Sequence, residues 1–409
     1  MKDKVFLKKC STYEKVEPIV FSLLDKYKPK LKKKAKILLK PNFLYAAPPE
    51  KGVSPHPTVM AAVAKWCRKN FPESIIYLGD SSGVFGVPAF NQCIKELNVT
   101  PIAKKYDIKI RPFDTQERVL VNNPKNVMWK DLEFPDIVVD ADFIINICKL
   151  KTHVLTLFTG AVKNMYGCIV GKTKGKGHVD GYTNVRFGNL LVDVCTTAKP
   201  NISIMDAVVG MEGQGPGRGD PVKIGYVIAS DNPFAVDHAA LKLVSLDEKT
   251  IYTQIQGRER KFFDKVEIIG DYKPITIKAV EPSPMIMTNA IPEFLSMFSR
   301  LIRRLSFEAF QKIPIINEKD CVKCYDCVKA CPVQTIKIKK DKFPKVIHKE
   351  CIGCFMCVEH CKYKSIDLKQ TRMGRIVKYV KTHWLKNWKT GCSFHSNIKK
   401  DLDTQNTIK

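Results

Sequence analysis

The first 250 residues alternate short apolar runs with stretches in which apolar residues recur at helical spacing. Lys4–Cys10, Lys36–Lys40, Ile75–Leu78, Ile108–Pro112, Phe143–Cys148, Ile202–Met205 and Gly225–Ala229 read as strands. Between them, Tyr13–Tyr27, with Val16, Ile19, Val20, Leu23 and Leu24 on one side, reads as a helix. Pro57–Arg68 and Phe90–Leu97 read likewise, and Pro57 suits a first helical turn. Strands alternating with helices predict an α/β domain with a mainly parallel sheet, whose ligands bind beyond the carboxyl ends of the strands.

The pattern changes after a Pro-containing break at Pro274–Pro284. Phe294, Phe298, Leu301, Ile302 and Leu305 repeat at helical spacing opposite Arg300, Arg303 and Arg304, predicting an amphipathic connector. A small α+β segment follows. A second amphipathic stretch then places Met373, Ile376, Val377, Val380, Trp384, Leu385 and Trp388 opposite a lysine- and arginine-rich face. Packing on the body of the protein is favoured for it over contact with an anionic membrane surface. The predicted organisation is an α/β domain over 1–280, a connector over 281–313, a cysteine-rich domain over 314–370, and a basic helix with a polar tail over 371–409.

The 409 residues include 15 cysteines, and eight of these form two arrays. The first is Cys321-x2-Cys324-x2-Cys327-x3-Cys331-Pro332; the second, Cys351-x2-Cys354-x2-Cys357-x3-Cys361, repeats the spacing. Zinc takes four ligands, usually as two pairs with a long gap. Two complete arrays of this spacing are instead the bacterial ferredoxin signature, in which the fourth cysteine of each array serves the other cluster. The expected cofactors are two 4Fe-4S clusters. Cys321, Cys324, Cys327 and Cys361 would hold one; Cys351, Cys354, Cys357 and Cys331 would hold the other. Lys362 stands where the second array would carry a proline, and its charge would favour the reduced cluster. Exposed clusters of this kind are oxygen-sensitive, so a low-oxygen setting is expected.

The formal net charge is +27, which points to an anionic substrate, an acidic partner or an anionic surface. No nucleic-acid motif appears, so nucleic acid is not expected. The N-terminal stretch Val5-Phe6-Leu7 is too short for the apolar core of a signal peptide, and a cytoplasmic chain is predicted.

Four further runs occur in order: Lys40-Pro41-Asn42; Asn146-Ile147-Cys148-Lys149-Leu150-Lys151-Thr152-His153; Thr159-Gly160-Ala161-Val162-Lys163-Asn164-Met165-Tyr166-Gly167; and Asp206-Ala207-Val208-Val209-Gly210-Met211-Glu212-Gly213. With Gly215-Pro216 and Ala235-Val236-Asp237, they resemble the domain of unknown function 362 family over residues 36–245. Members of that family with a C-terminal ferredoxin-like segment fit its pattern. The resemblance implies architecture and no substrate.

Chemistry must therefore come from the residues. Lys149, Lys151, His153, Lys163 and Asn164 fall within 16 residues near a predicted strand end, a composition suited to holding a phosphate or carboxylate. Lys40 and Asn42 join them as candidate anion ligands. His153 or Lys163 is a candidate proton donor to a substrate being reduced. Gly213 and Gly215, in the glycine-rich stretch from Gly210 to Gly219, would allow close backbone approach to a ligand. Asp80, Asp206, Glu212 and Asp237 rank lower, as bases or metal ligands, and His56 and His178 read as loop histidines. No flavin or nicotinamide fingerprint is present.

The reading is an iron–sulfur redox protein, an oxidoreductase or a subunit of one, relaying electrons to or from a site for an anionic small molecule. The alternative is a non-catalytic electron carrier or adaptor whose α/β domain docks a redox partner protein. The discriminating feature is whether the Lys149–Asn164 groups line one enclosed pocket or spread over an open surface.

Overall fold

A computed structural model describes residues 2–181, 183–279, 312–338 and 342–371. The chain divides into two compact units, and the first, Met1–Pro282 with Pro314–Asp367, contains both the α/β sheet and the cysteine arrays. The two amphipathic helices expected near residues 294–305 and 373–388 lie outside the described residues, as does Cys392.

The strands are β1 (Asp3–Lys9), β2 (Lys36–Lys40), β3 (Ile75–Leu78), β4 (Ile108–Ile110), β5 (Arg118–Asn122), β6 (Asp131–Pro135), β7 (Phe143–His153), β8 (Leu157–Thr159), β9 (Ile202–Glu212), β10 (Asp220–Ser230) and β11 (Val266–Ile269). All but β5 and β6, which pair with each other, form one nine-stranded sheet. Its order is β11-β1-β10-β9-β7-β2-β3-β4, with β8 added beside β7. Neighbours from β9 to β4 run parallel, and β10 is antiparallel to both β9 and β1. The sheet is thus mixed but mostly parallel, the α/β architecture expected.

Central strands are apolar on both faces because both faces are covered. In β2, Ile37 and Leu39 enter one core while Leu38 enters another. In β7, Phe143, Ile145 and Ile147 join the first core, and Ile144 the second. Helices Val16–Leu24, Pro57–Asn70 and Val87–Glu96 supply the first core; helix Asn184–Ala198 supplies the second.

Two expected strands end later than their apolar runs. β7 continues through Lys149 and Lys151 to His153, and β9 continues through Gly210 to Glu212. Strand backbone carries these polar residues because pairing with β9, and not side-chain apolarity, holds the segment. The register jumps from Lys149↔Asp206 to Lys151↔Met211, so β9 bulges between the two lysines. Gly210 therefore belongs to a strand, and the glycine-rich loop begins at Gly213.

The cysteine-rich segment contains β12 (Lys312–Ile316), β13 (Ile336–Ile338), β14 (Pro344–Val346) and β15 (Ile366–Gln370), with helices Asp326–Ala330 and Met356–Glu359. Strands β13 and β14 form an antiparallel pair. Corresponding positions lie 30 residues apart, as in Cys321 and Cys351 or Cys331 and Cys361. The backbone repeats with them: Tyr325 and Phe355 share a left-handed conformation, φ 61° and 58°, as do Gln334 and Lys364 at 52° and 54°.

Candidate redox and anion site

The cysteines fall into two groups of four. Cys321, Cys324, Cys327 and Cys361 surround one small cavity; Cys331, Cys351, Cys354 and Cys357 surround a second. Each wall is completed by apolar side chains, Ile316, Pro344 and Ile366 in the first and Pro314, Ile336 and Val346 in the second. Among the described residues no three Cys, His, Asp or Glu groups converge on a single-ion position; the sulfurs ring a space instead. Backbone N–H groups of Thr335 and Ser365 donate to Cys331 Sγ and Cys361 Sγ at 3.3 Å each, the kind of bond that steadies a cluster thiolate. Burial pushes the Cys327 and Cys354 thiols up to about 12, so their ligating, deprotonated form calls for a cationic partner such as cluster iron. The residues fit a 4Fe-4S cluster in each cavity.

A third cavity, about 80 Å³, lies where β2, β3 and β7 end. Its α/β wall includes Lys40, Asn42, Asp80, Lys151, Lys163 and Asn164. Helix Gly171–Asp180 adds Lys174 and His178, and the second cysteine array supplies Met356, Glu359 and His360.

The lysines around it are not alike. Lys40, fully buried, ion-pairs with Asp80 at 2.8 Å and donates to Pro41 O and Asn164 Oδ1, which uses all three ammonium hydrogens. Gly167 permits this pair, since a Cβ there would overlap both Asp80 Oδ1 and Lys40 Nζ. Lys174 is likewise spent, on Ser81 O, Ser81 Oγ and Gly83 O; burial brings it down to about 8. Lys151 donates to Asn42 Oδ1 at 2.5 Å and to Val53 O at 2.7 Å. Burial, then the charges of Lys163 and Lys149, lower it to about 7. Lys163 is half-buried, and among the described residues its ammonium has no hydrogen bond or ion pair. Burial lowers its pKa, opposed by Glu359, and Lys40 lowers it further.

Burial raises Glu359 to about 7 against the pull of Lys163 and Lys151. Its Oε1 approaches His153 Nε2 to 3.3 Å, but the pair is misaligned and neither atom has a hydrogen-bond partner. His153 Nδ1 accepts from Leu155 N and Thr156 N, which places the ring proton on Nε2. His178 Nδ1 and His360 Nδ1 are also buried without partners. Burial, reinforced by nearby lysine charges, keeps both rings well on the neutral side, His360 down to about 3. Orphan polar atoms around one cavity are a mark of a binding site, since buried polar groups are otherwise paired.

The structure thus gathers Lys40, Asn42, Lys151, Lys163 and Asn164 around one cavity. His153 stands behind it against Glu359. Lys149, grouped with them by sequence, does not line the cavity: across the β9 bulge it ion-pairs with fully buried Asp206 at 2.8 Å and donates to Tyr13 Oη. Gly213 and Gly215 do not line it either. Gly213 donates to Lys278 O, and Gly215 packs on Thr152 O; Pro216 is the loop residue at the cavity. Asp237 caps the turn before Lys163 through Ala161 N and Val162 N, and Glu212 accepts from Lys278 N. Tyr13 stacks on the His56 ring at 3.7 Å. Sequence reasoning missed Lys174, Glu359 and His360, and read His178 as a loop residue. For Glu359 and His360 a signal existed: Lys329 and Ala330 occupy the corresponding places in the first array, so this is where the repeat breaks.

The family model described as a domain of unknown function (DUF362) matches residues 37–242, half of the chain. A model described as a 4Fe-4S dicluster domain matches residues 314–368. A curated relative, a thylakoid-associated protein of Synechocystis sp., is 34% identical over 222 residues, 53% of this chain and 65% of that protein. This chain therefore spans just under two thirds of that relative. Among solved structures, the lactate racemase apoprotein of Thermoanaerobacterium thermosaccharolyticum aligns at a TM-score of 0.40 and 13% identity, over 59% of this chain and 57% of that one. A Thermotoga maritima protein aligns at 0.37 and 12%, over 61% and 60%. No helix among the described residues is long and apolar enough to cross a membrane. The chain belongs to the domain of unknown function 362 family and carries, after its α/β domain, a 4Fe-4S dicluster domain, an iron–sulfur electron-transfer module.

Proposed function

We propose that this protein is an oxidoreductase, or a subunit of one, whose lysine-lined cavity binds a small anionic molecule beside a segment that holds two 4Fe-4S clusters. One observation carries the reading: the cavity that gathers Lys151 and Lys163 is closed on its other side by Met356, Glu359 and His360, from within the second cysteine array. An adaptor would need its basic groups on an open surface, whereas Lys40 and Lys151 are buried and Lys163 is partly buried around one cavity.

When bound, the clusters supply one-electron transfer. The chain's own residues do the rest. Lys163, with no protein partner among the described residues, anchors a carboxylate or phosphate oxygen. Lys40, neutralised by Asp80, and Lys174, spent on backbone and hydroxyl oxygens, fix the shape of the wall. Lys151, lowered to about 7, is poised to give or take a proton near neutral pH, the property wanted in a general acid or base. Neutral His178 and His360 offer hydrogen bonds without adding charge.

The test is calorimetric titration of the anaerobically prepared protein with phosphate, acetate and bicarbonate in turn. Saturable binding of at least one anion, lost in Lys163→Gln, is expected. Binding that survives Lys163→Gln, or no binding of any of the three, contradicts the cavity assignment.

A further inference from the structure

The 30-residue repeat allows the two cluster sites to be compared position by position, and they differ in what surrounds them. In the first site, Cys324 is exposed, and Val322 and Tyr363 are 55% and 52% exposed. In the second, the counterparts Cys354, Ile352 and Val333 are all partly covered, and Phe355, the counterpart of Tyr325, is 3% exposed. Met356, Val358, Glu359 and His360 are buried behind it. Two of the six large apolar side chains most exposed among the described residues therefore sit over the first site, and none over the second. The second array instead abuts the cavity: Met356, Glu359 and His360 line it, and Met356 follows Phe355, a wall residue of that site.

We infer that the two sites divide the work: the Cys354 side serves the cavity, and the face of Val322, Cys324 and Tyr363 docks an acidic one-electron carrier protein at the Cys321–Cys324–Cys327–Cys361 site. This deepens the proposed function and rests on its two clusters. Exposed apolar side chains over a cluster give a carrier a dry contact through which the electron crosses a short gap. Apolar residues ringed by charge are the usual anatomy of a transient interface. Lys319 and Lys342 are exposed beside the array, and Tyr325 Oη donates to Lys342 O, tying that lysine to the cysteine loop. Glu318 and Asp320, both exposed, flank Lys319, so attraction at contact is mixed. Attraction at a distance comes from the whole chain, whose net charge of +27 steers an acidic partner toward it. The step moves one electron: the carrier is oxidised by one, the first site is reduced by one, and no bond forms or breaks.

The experiment is stopped-flow reduction of the reconstituted full chain by a reduced acidic ferredoxin. Iron and sulfide content would first be matched between variants. Lys319→Glu combined with Lys342→Glu should slow reduction about tenfold. Lys349→Glu, exposed at the position corresponding to Lys319 in the second array, should change it by less than about twofold. The wild-type rate should fall as salt rises from roughly 50 to 500 mM. Reduction by dithionite should be the same in all variants. An equal loss in Lys349→Glu, or a salt-independent rate, overturns the assignment. So does a concentration-dependent mass of the free protein that the double variant abolishes, since the face would then join two copies. Anion binding at the cavity is measured separately and should be untouched by the double variant, so failure of the port and failure of the cavity are distinguishable.

Discussion

The buried lysines at either side of the β9 bulge have opposite fates. Lys149 is fully buried against Asp206, whose carboxylate also accepts from Tyr13 Oη, His56 N and Val208 N. Lys151, two residues on, and Lys163 face the cavity with no carboxylate in ion-pair contact among the described residues. The first region is a closed network in which charge is cancelled and each group has a partner. The second retains uncancelled positive charge at a depth where burial penalises it. A fold keeps such charge only where something compensates it, and an anionic ligand is the compensation that a basic cavity calls for.

Removing Lys149 gives the largest expected effect on stability. Lys149→Ala leaves Asp206 as a buried carboxylate with hydrogen bonds but no counter-charge, and should cost about 3 kcal/mol in chemical denaturation. Gly167→Ala comes next, at about 1–3 kcal/mol, because the new Cβ must displace Lys40 or Asp80 from their ion pair. Lys163→Gln breaks the comparison in the other direction. It should alter stability by less than about 1 kcal/mol while weakening anion binding about 10- to 100-fold, the worth of one charge-assisted hydrogen bond. A large stability loss in Lys163→Gln would place it with Lys149 as a structural residue.

The smallest effect is the pH dependence. Lys151 is charged below about 7 and neutral above it, so anion affinity should fall as pH rises from 6 to 8. Glu359, raised to about 7, becomes negative over the same interval and acts in the same direction. Lys151→Met should flatten the titration. The linkage has its own sign. Burial depresses Lys151 below its unfolded value of 10.5, so between about 7 and 10.5 the unfolded chain binds the extra proton. Lys151 therefore costs the fold stability at low pH, and that cost is relieved as pH rises through this window. Denaturation midpoints of wild type and Lys151→Met, compared at pH 6 and 9, measure it.

Much of this was legible in the sequence where residue type and position agree. KILLK followed by Pro41, and the run Phe143–Cys148, are strands because their apolar residues fill cores on both faces. The cysteine spacing announces its chemistry because ligand spacing is the chemistry. The same reading fails where long-range pairing decides. Lys149 and Lys151 look equivalent in sequence, and only the register of β7 against β9 sets the first opposite Asp206 and the second opposite Met211. His178 lies in a stretch rich in glycine and lysine with no helical signal, yet it sits in helix Gly171–Asp180, packed on Phe187 and Tyr166. Glu359 and His360 were overshadowed by the cysteines on either side of them. Comparing the two arrays residue by residue, and not for their cysteines alone, would have singled them out.

The central claim is that a small anion binds next to the cluster-holding segment, and electron paramagnetic resonance of the dithionite-reduced protein tests it most directly. The spectrum is recorded with and without a saturating anion, in wild type and in Lys163→Gln. The account predicts about eight irons per chain, a signal of interacting reduced clusters, and a change on adding the anion that Lys163→Gln abolishes. An identical spectrum with and without an anion that calorimetry shows to be bound would contradict it, because the anion would then occupy a site remote from the clusters.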